Sequence, residues 1–321
     1  NPKSKRIKFR KEKIMTLSAS LVKELREKSG AGMMDCKKAL VETNGNMEDA
    51  IDWLRKQGLS AVAKKSSRVA AEGLIGVSIN GTQGAMVEIN SETDFVARNE
   101  LFQNFVKKCS YLVLTHKSDI NTLKDLPFPD TDRSVDQELS NKIATIGENM
   151  NIRRTEYLEV SEGVLVSYIH NKVTEDLGKL GVIVAIESQS QESKLLDVGK
   201  QIAMHIAATS PKSLEIDDLD IDLVEREKEV LIEQAIASGK PKEIAEKMVK
   251  GRLQKFFQEV VLNEQVSVID GENKIKDLTK KISLDLGTEV KIKDFKILKL
   301  GEGIEVAEND FAAEVAATAG I

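Results

Sequence analysis

Groups able to do covalent or metal chemistry are sparse in this chain. His116, His170 and His205 are scattered without the spacing of a metal site. Cys36 and Cys109 stand alone and far apart, which excludes a disulfide framework or a Cys-based zinc cluster and predicts buried thiols in a reducing compartment. Gly239-Lys240 resembles the end of a phosphate loop, but Pro241 stands where Ser or Thr is needed and the upstream glycine is missing. No G-x-S-x-G nucleophile elbow occurs. Carboxylates are so numerous, 52 Asp and Glu in 321 residues, that their pairing predicts only a solvated surface. The expectation is a protein that is not an enzyme, with no metal and no cofactor.

Two places instead set apolar side chains in polar surroundings. In Ser91-Glu92-Thr93-Asp94-Phe95-Val96-Ala97-Arg98, Thr93 or Asp94 is placed to cap the following helix, which would put Phe95 in its first turn. Phe95 then either staples the helix start to the sheet or stands out as a wedge beside a carboxylate, aimed at a partner pocket. Met33 and Met34 pose the same choice. Adjacent residues cannot share a helix face, so one is expected to pack inward and the other to serve a binding surface.

The elements that would carry these residues follow from periodicity. Residues 16–58 read as three short helices, broken at Gly30-Ala31-Gly32 and Asn44-Gly45, capped by Asn46 and ending at Gly58. Residues 59–73 read as a partly helical linker. Alternation then takes over on both sides of Asn80-Gly81, a hairpin signal, followed by a helical stripe from Leu101 to Val113, a proline-bearing stretch, a second helix towards Ile146 and a strand from Ile152 to Val160. The same order returns with Val164–Ile169, Leu180–Ile186, a helix over 194–208 and a last strand over 290–300. This predicts an α+β fold with two related core units built on antiparallel sheets, over 74–160 and over 161–213 plus 257–303. Residues 214–256 read as an inserted helical hairpin turning at Ser238-Gly239-Lys240-Pro241, with an apolar stripe narrow enough for a projecting coiled coil. Residues 304–321 should hold a short C-terminal helix.

Charge is unevenly spread. Residues 1–14 carry seven Lys and Arg against Glu12, so a chain of net charge −5 has −11 on the rest. Met15 reads like an ordinary initiator, and residues 1–15 as a disordered basic extension: an upstream start, a cloning remnant or the remainder of a targeting peptide. An acidic body argues against direct nucleic-acid binding and for protein partners. With 31% charged and only 4% aromatic residues the chain should be helix-rich, and no run approaches the roughly 18 apolar residues of a membrane span, which predicts a soluble protein.

Several stretches together resemble translation elongation factor Ts. They are the run 21–40 with Gly30-Ala31-Gly32-Met33-Met34-Asp35-Cys36, then Glu92-Thr93-Asp94-Phe95-Val96-Ala97, Ile146-Gly147-Glu148-Asn149, Ala203-Met204-His205-Ile206-Ala207-Ala208, Gly239-Lys240-Pro241, and Asp310-Phe311-Ala312-Ala313-Glu314-Val315-Ala316. They occur in family order from residue 16 to the end. The resemblance implies a guanine-nucleotide exchange factor for elongation factor Tu, with a ubiquitin-associated-like (UBA-like) N-terminal domain, a two-part core, a coiled-coil insertion and a C-terminal helix. It implies that Thr93, Asp94, Phe95 and Val96 disturb the magnesium site of the GTPase, and that Arg26, Met33 and Met34 grip its nucleotide-binding domain. It further implies that Ile146, Gly147, His170, Val268 and Ile269 touch its third domain. Val266-Ser267 stand where the family usually has Pro-Phe before the last of these contacts. A bacterial cytoplasmic protein is expected. The competing reading is an adaptor whose UBA-like module binds partners through Met33 and Met34 without exchange activity; a third, nucleic-acid binding through residues 1–14, requires steep salt dependence.

Overall fold

In a computed structural model the described residues are 19–29, 31–190, 193–239 and 241–305; the basic extension and the expected helix at the C-terminus lie outside them. The first three helices are α1 (Ala19–Ser29), α2 (Met33–Glu42) and α3 (Met47–Lys65). Leu25, Cys36, Ala39, Leu40 and Ala50 are buried where they meet. Asn46 caps α3, its side chain accepting from the amides of Glu48 and Asp49 at 3.0 and 3.2 Å. Contrary to the sequence expectation, α3 does not stop at Gly58 but runs on to Lys65. The reason is tertiary. A β-carbon at Gly58 would lie 3.8 Å from that of Ala144, Val62 packs against the first core, and the Lys65 ammonium reaches the Ile143 carbonyl at 3.5 Å. Docking outweighs the glycine cost of about 1 kcal/mol.

Two antiparallel sheets follow. Strands β1 (Glu72–Asn80), β2 (Gln83–Ser91), β3 (Met150–Glu159) and the two-residue β5 (Leu177–Gly178) form the first, in the order β3-β2-β1-β5. Strands β4 (Gly163–His170), β6 (Leu180–Ser188) and β7 (Val290–Lys299) form the second, in the order β4-β6-β7. The β1–β2 turn is Gly81-Thr82, with Gly81 at positive φ, one residue later than Asn80-Gly81. Between β2 and β3 lie helices α4 (Glu100–His116), α5 (Ile120–Asp125) and α6 (Val135–Ile146), which bury Phe102, Phe105, Val106 and Leu123 on one face of the first sheet. Its other face meets the second sheet through Ile75, Val77, Met86, Leu165, Ile183 and Leu298. The outer face of the second sheet is covered by α7 (Ser193–Thr209) and α10 (Ile275–Leu286) through Val184, Ile186, Ile202, Ile206 and Phe295. Helix, sheet, sheet and helix thus form four layers. One departure from the expected division is β5, which comes from the chain after β4 yet pairs with β1.

The inserted segment is α8 (Ile221–Ala237) and α9 (Lys242–Val260), with Leu231 and Ala235 buried between them. At its base Ser213 bridges Val261 and the Lys212 amide donates to the Val260 carbonyl at 2.7 Å, so the chain leaves and returns at one point.

The two layers repeat one another in detail. In β2–β3 the pairs Ile89↔Ile152 and Glu88↔Arg154 leave Arg153 bulged; in β6–β7 the pairs Ile186↔Ile292 and Ala185↔Asp294 leave Lys293 bulged at the same step. Gly73 and Gly163, at φ +123° and +129°, are forced alike: an added β-carbon would lie 2.2 Å from the Ile89 carbonyl oxygen in one and 2.0 Å from the Ile186 oxygen in the other. The buried phases of α4 and α7 match, Phe102 with Leu195, Cys109 with Ile202, Val113 with Ile206. Volume is exchanged across one contact. Gly76 on β1 faces Val106 on α4, whereas Val166 on β4 faces Gly199 on α7.

This exchange can be tested. Gly76→Val should destabilise by about 1–3 kcal/mol through overpacking. Adding Val106→Gly should restore part of that loss, with a coupling above about 1 kcal/mol in a urea-denaturation cycle. Purely additive losses would contradict the equivalence of the two contacts.

Candidate functional site

The segment after β2 is pinned at both ends. The Thr93 amide and hydroxyl both donate to the Glu148 carboxylate, at 2.9 and 2.6 Å. Glu92 accepts from the Asn149 amide at 2.5 Å and faces Arg68 at 3.5 Å, while the Asn149 side chain donates to the Arg68 carbonyl at 2.7 Å. On the far side Val96 and Ala97 are buried in the first core. A single 3-10 turn, Val96–Arg98, closes with the Arg98 amide donating to the Phe95 carbonyl at 3.1 Å. Between the two clamps Asp94 and Phe95 are exposed, and the Phe95 side chain is 76% accessible.

Two sequence expectations change here. The cap of α4 is Asn99, accepting from the amides of Leu101 and Phe102, and not Thr93 or Asp94; Thr93 is engaged by Glu148 instead. Phe95 therefore precedes the helix rather than lying in its first turn, and the staple reading fails. Val96 is buried, so like Thr93 it holds the tip rather than extending it.

The other positions fall around the molecule in four groups. Arg26 is exposed on α1, and Met33 and Met34 are both outward, 57% and 75% accessible. The expectation that one methionine packs inward is corrected: of this stretch it is Cys36 that is buried in the small core, with Ala31 packed against it. Ile146 ends α6 half-buried, and Gly147, in the left-handed region at φ +92°, turns the chain so that Glu148 meets Thr93. Ile146 and Gly147 are thereby brought beside the 92–95 tip. His170 is exposed at the end of β4, with the Tyr168 hydroxyl 3.2 Å from its Nδ1. Val268 and Ile269 are exposed on the loop before α10, where the Val268 amide donates to His205 and the Ile269 amide to the Ser267 hydroxyl, both at 3.2 Å.

That loop depends on a residue whose role the sequence did not reveal. His205 is fully buried on α7; its Nδ1 accepts the Val268 amide bond and its Nε2 lies 2.8 Å from Gln265 Oε1. These partners assign the neutral tautomer with the proton on Nε2. Burial holds its pKa below the ordinary 6.5, with the Gln265 bond opposing. The available signal was a histidine at a buried phase of an apolar helix stripe, between Ile202 and Ile206. Glu148 and Asn149 were equally silent, since their partners lie 55 and 57 residues away. Both thiols have pKa values raised by burial. Among the described residues no group of three or more His, Cys, Asp or Glu is arranged to hold a metal ion, and no helix is long and apolar enough to cross a membrane. The arrangement offers exposed apolar side chains on braced backbone.

The His205 linkage has a definite sign. A histidine with a lowered folded pKa contributes fully above about pH 6.5 and loses stability as pH falls below that value, because the unfolded chain takes the proton first. The urea midpoint of the wild type should therefore drop between pH 7.5 and pH 5.5, and the drop should be smaller in His205→Gln. Equal drops in both proteins would contradict it.

Comparison with known proteins places this geometry in a family. A family model described as Elongation factor TS matches residues 92–302, from the pinned tip to the end of the second sheet. The elongation factor Ts of Rhodospirillum centenum is 58% identical over 304 residues, 95% of this chain and 99% of the relative. That of Rhodospirillum rubrum is 55% identical over 302 residues (94% and 98%), and that of Rhizobium meliloti 50% over 305 residues (95% and 99%). With its N-terminal helices, paired antiparallel sheets and near-complete alignment to these relatives, the chain belongs to the elongation factor Ts family of translation factors.

Proposed function

We propose that this chain is a guanine-nucleotide exchange factor for elongation factor Tu and performs no covalent chemistry itself. The observation that carries the reading is Phe95, exposed between two clamps beside the exposed Asp94. A factor speeds nucleotide release only by binding the empty or metal-distorted GTPase better than the loaded one. Magnesium bridges the phosphate oxygens of the nucleotide, so disturbing its site removes much of the nucleotide's hold. Asp94 and Phe95 are the groups that enter there; Thr93 and Val96 hold them in place. Distorting the GTPase costs free energy that contacts elsewhere must offset. Arg26, Met33 and Met34 on the N-terminal helices supply one grip, and Ile146, Gly147, His170, Val268 and Ile269 supply others, on the third domain of the GTPase. The acidic body is consistent with a protein partner and no direct nucleic-acid contact, in a bacterial cytoplasm.

The test separates wedge from support. Phe95→Ala should change unfolding free energy by no more than about 1 kcal/mol, as for an exposed side chain. Release of labelled GDP from elongation factor Tu should slow about 30-fold or more, the scale of an aromatic hot spot. Because both methionines are outward, an adaptor acting through them alone is the rival. It requires binding that depends on Met33 and Met34, and GDP release indifferent to Phe95.

A further inference from the structure

Three sulfur atoms sit on the first turn of α2, one inside and two outside. Cys36 is fully buried, its Sγ 3.7 Å from both the Ser29 hydroxyl and the Ala31 carbonyl. Met33 and Met34 are outward, 57% and 75% accessible. The backbone leading to them is tied down. The Ser29 hydroxyl donates to the Leu25 carbonyl at 2.6 Å and accepts from the Ala31 amide at 3.2 Å. Arg133, just before α6, donates to the Ser29 carbonyl at 3.3 Å. Two thioethers are thereby presented side by side on a braced turn.

An oxidant meets these sulfurs unequally. A thiol reacts as its thiolate, and burial raises the pKa of both Cys36 and Cys109, so neither is ionised or reachable at neutral pH. A thioether needs no ionisation, and access decides whether it reacts. Of the other described methionines, Met86 and Met150 are buried, Met47 packs against the small core, Met248 is half-buried and Met204 is 41% accessible. Among the described residues Met34 and Met33 therefore lead the order of exposure.

We propose that Met33 and Met34 form a reversible oxidation site, at which hydrogen peroxide converts an apolar grip on the partner GTPase into a polar one. The sulfur lone pair attacks one peroxide oxygen, the O–O bond breaks, an S–O bond forms and, after proton transfer, water leaves. Sulfur loses two electrons and the peroxide gains them. Two thiols of a sulfoxide reductase reverse the step, giving the thioether, a disulfide and water. Both side chains are solvated, so the added oxygen costs the fold little. On docking, the sulfoxide dipole must give up water, a loss that a thioether does not suffer. The partner's identity rests on the exchange-factor reading; the reactivity rests on the two exposed thioethers and the buried thiols.

The experiment treats the full chain with hydrogen peroxide and maps its peptides by mass spectrometry. Met33 and Met34 should each gain one oxygen first, Met204 later, and Met86 and Met150 last, with both cysteines still free to be alkylated after unfolding. The urea midpoint should not move. Affinity for nucleotide-free elongation factor Tu should fall about tenfold or more. It should return after treatment with the two methionine sulfoxide reductases, one for each epimer. The same dose should leave whatever affinity Met33→Leu/Met34→Leu has unchanged, while Met204→Leu should lose affinity as the wild type does. Slower oxidation at Met33 and Met34 than at Met204, a lowered urea midpoint, or folded oxidised protein that binds as before overturns the site and leaves the exchange reading standing. A peroxide loss that persists in Met33→Leu/Met34→Leu, or vanishes in Met204→Leu, overturns it too. Binding lost and restored as expected, without any acceleration of GDP release by the untreated chain, sinks the exchange reading and supports the site. No binding by the untreated chain sinks both.

Discussion

A phenyl ring can act as a wedge only if the backbone on either side of it is held. A loose tip would lose about 1–2 kcal/mol of conformational freedom per residue on docking, and that loss would come out of the strain it could impose on a partner. Here the holding is done before any partner arrives. Glu148 takes two hydrogen bonds from Thr93, Asn149 closes on Glu92, and Val96 and Ala97 sink into the core. Each clamp depends on something further back. Gly147 gives α6 the left-handed turn that delivers Glu148, and α6 is the surface on which Gly58, Val62 and Lys65 of α3 rest. Arg133, at the start of α6, pairs with the buried Glu138 at 2.6 Å and reaches the Ser29 carbonyl of α1 at 3.3 Å. The helices that bear Met33 and Met34 therefore share their support with the tip that bears Phe95.

The repeat explains how one frame serves several contacts. Both layers keep the same bulge, the same forced glycine and the same helix phase, and they diverge where function would be written. Glu88 in the first layer corresponds to Ala185 in the second. The fully buried Glu88 carboxylate accepts from Arg153 at 3.1 Å, Arg154 at 2.5 Å and the Gly301 amide at 2.9 Å. Because the Arg154 side chain also donates to the Lys299 carbonyl at 2.6 Å, this cluster fastens the end of the second sheet to the first. Leaving a buried charge without its partners costs about 3–5 kcal/mol, which makes the cluster sensitive to single changes. Sheets held in this way keep the tip on one layer and the Val268 loop on the other at a fixed spacing.

Much of this was legible from residues alone, and the failures have physical causes. Alternation and helical stripes located the long strands of both sheets, the helices α4, α6 and α7 and the inserted hairpin, and the unusual polarity around Phe95 marked the tip; α5 and α10 were not read. Local signals misled where two of them compete. Thr93, Asp94 and Asn99 are all cap formers within seven residues, and only the distant Glu148 decides among them. Gly58 is a plausible helix end until α6 covers it. Hydropathy cannot tell an exposed Phe95 from a buried one, or see that both Met33 and Met34 stay outside the small core. The two-residue β5 is too short to have a period, and His205 acquires its meaning only from Gln265 and Val268, each about sixty residues away.

The central claim is that a braced apolar tip acts against the metal-bound state of the GTPase, and linkage makes that claim measurable. Release of labelled GDP from elongation factor Tu can be followed in stopped flow at rising Mg²⁺, titrating this chain at each concentration. Competition with the metal predicts that the half-maximal concentration of the chain rises with Mg²⁺. A half-maximal concentration indifferent to Mg²⁺, with full acceleration throughout, would contradict it.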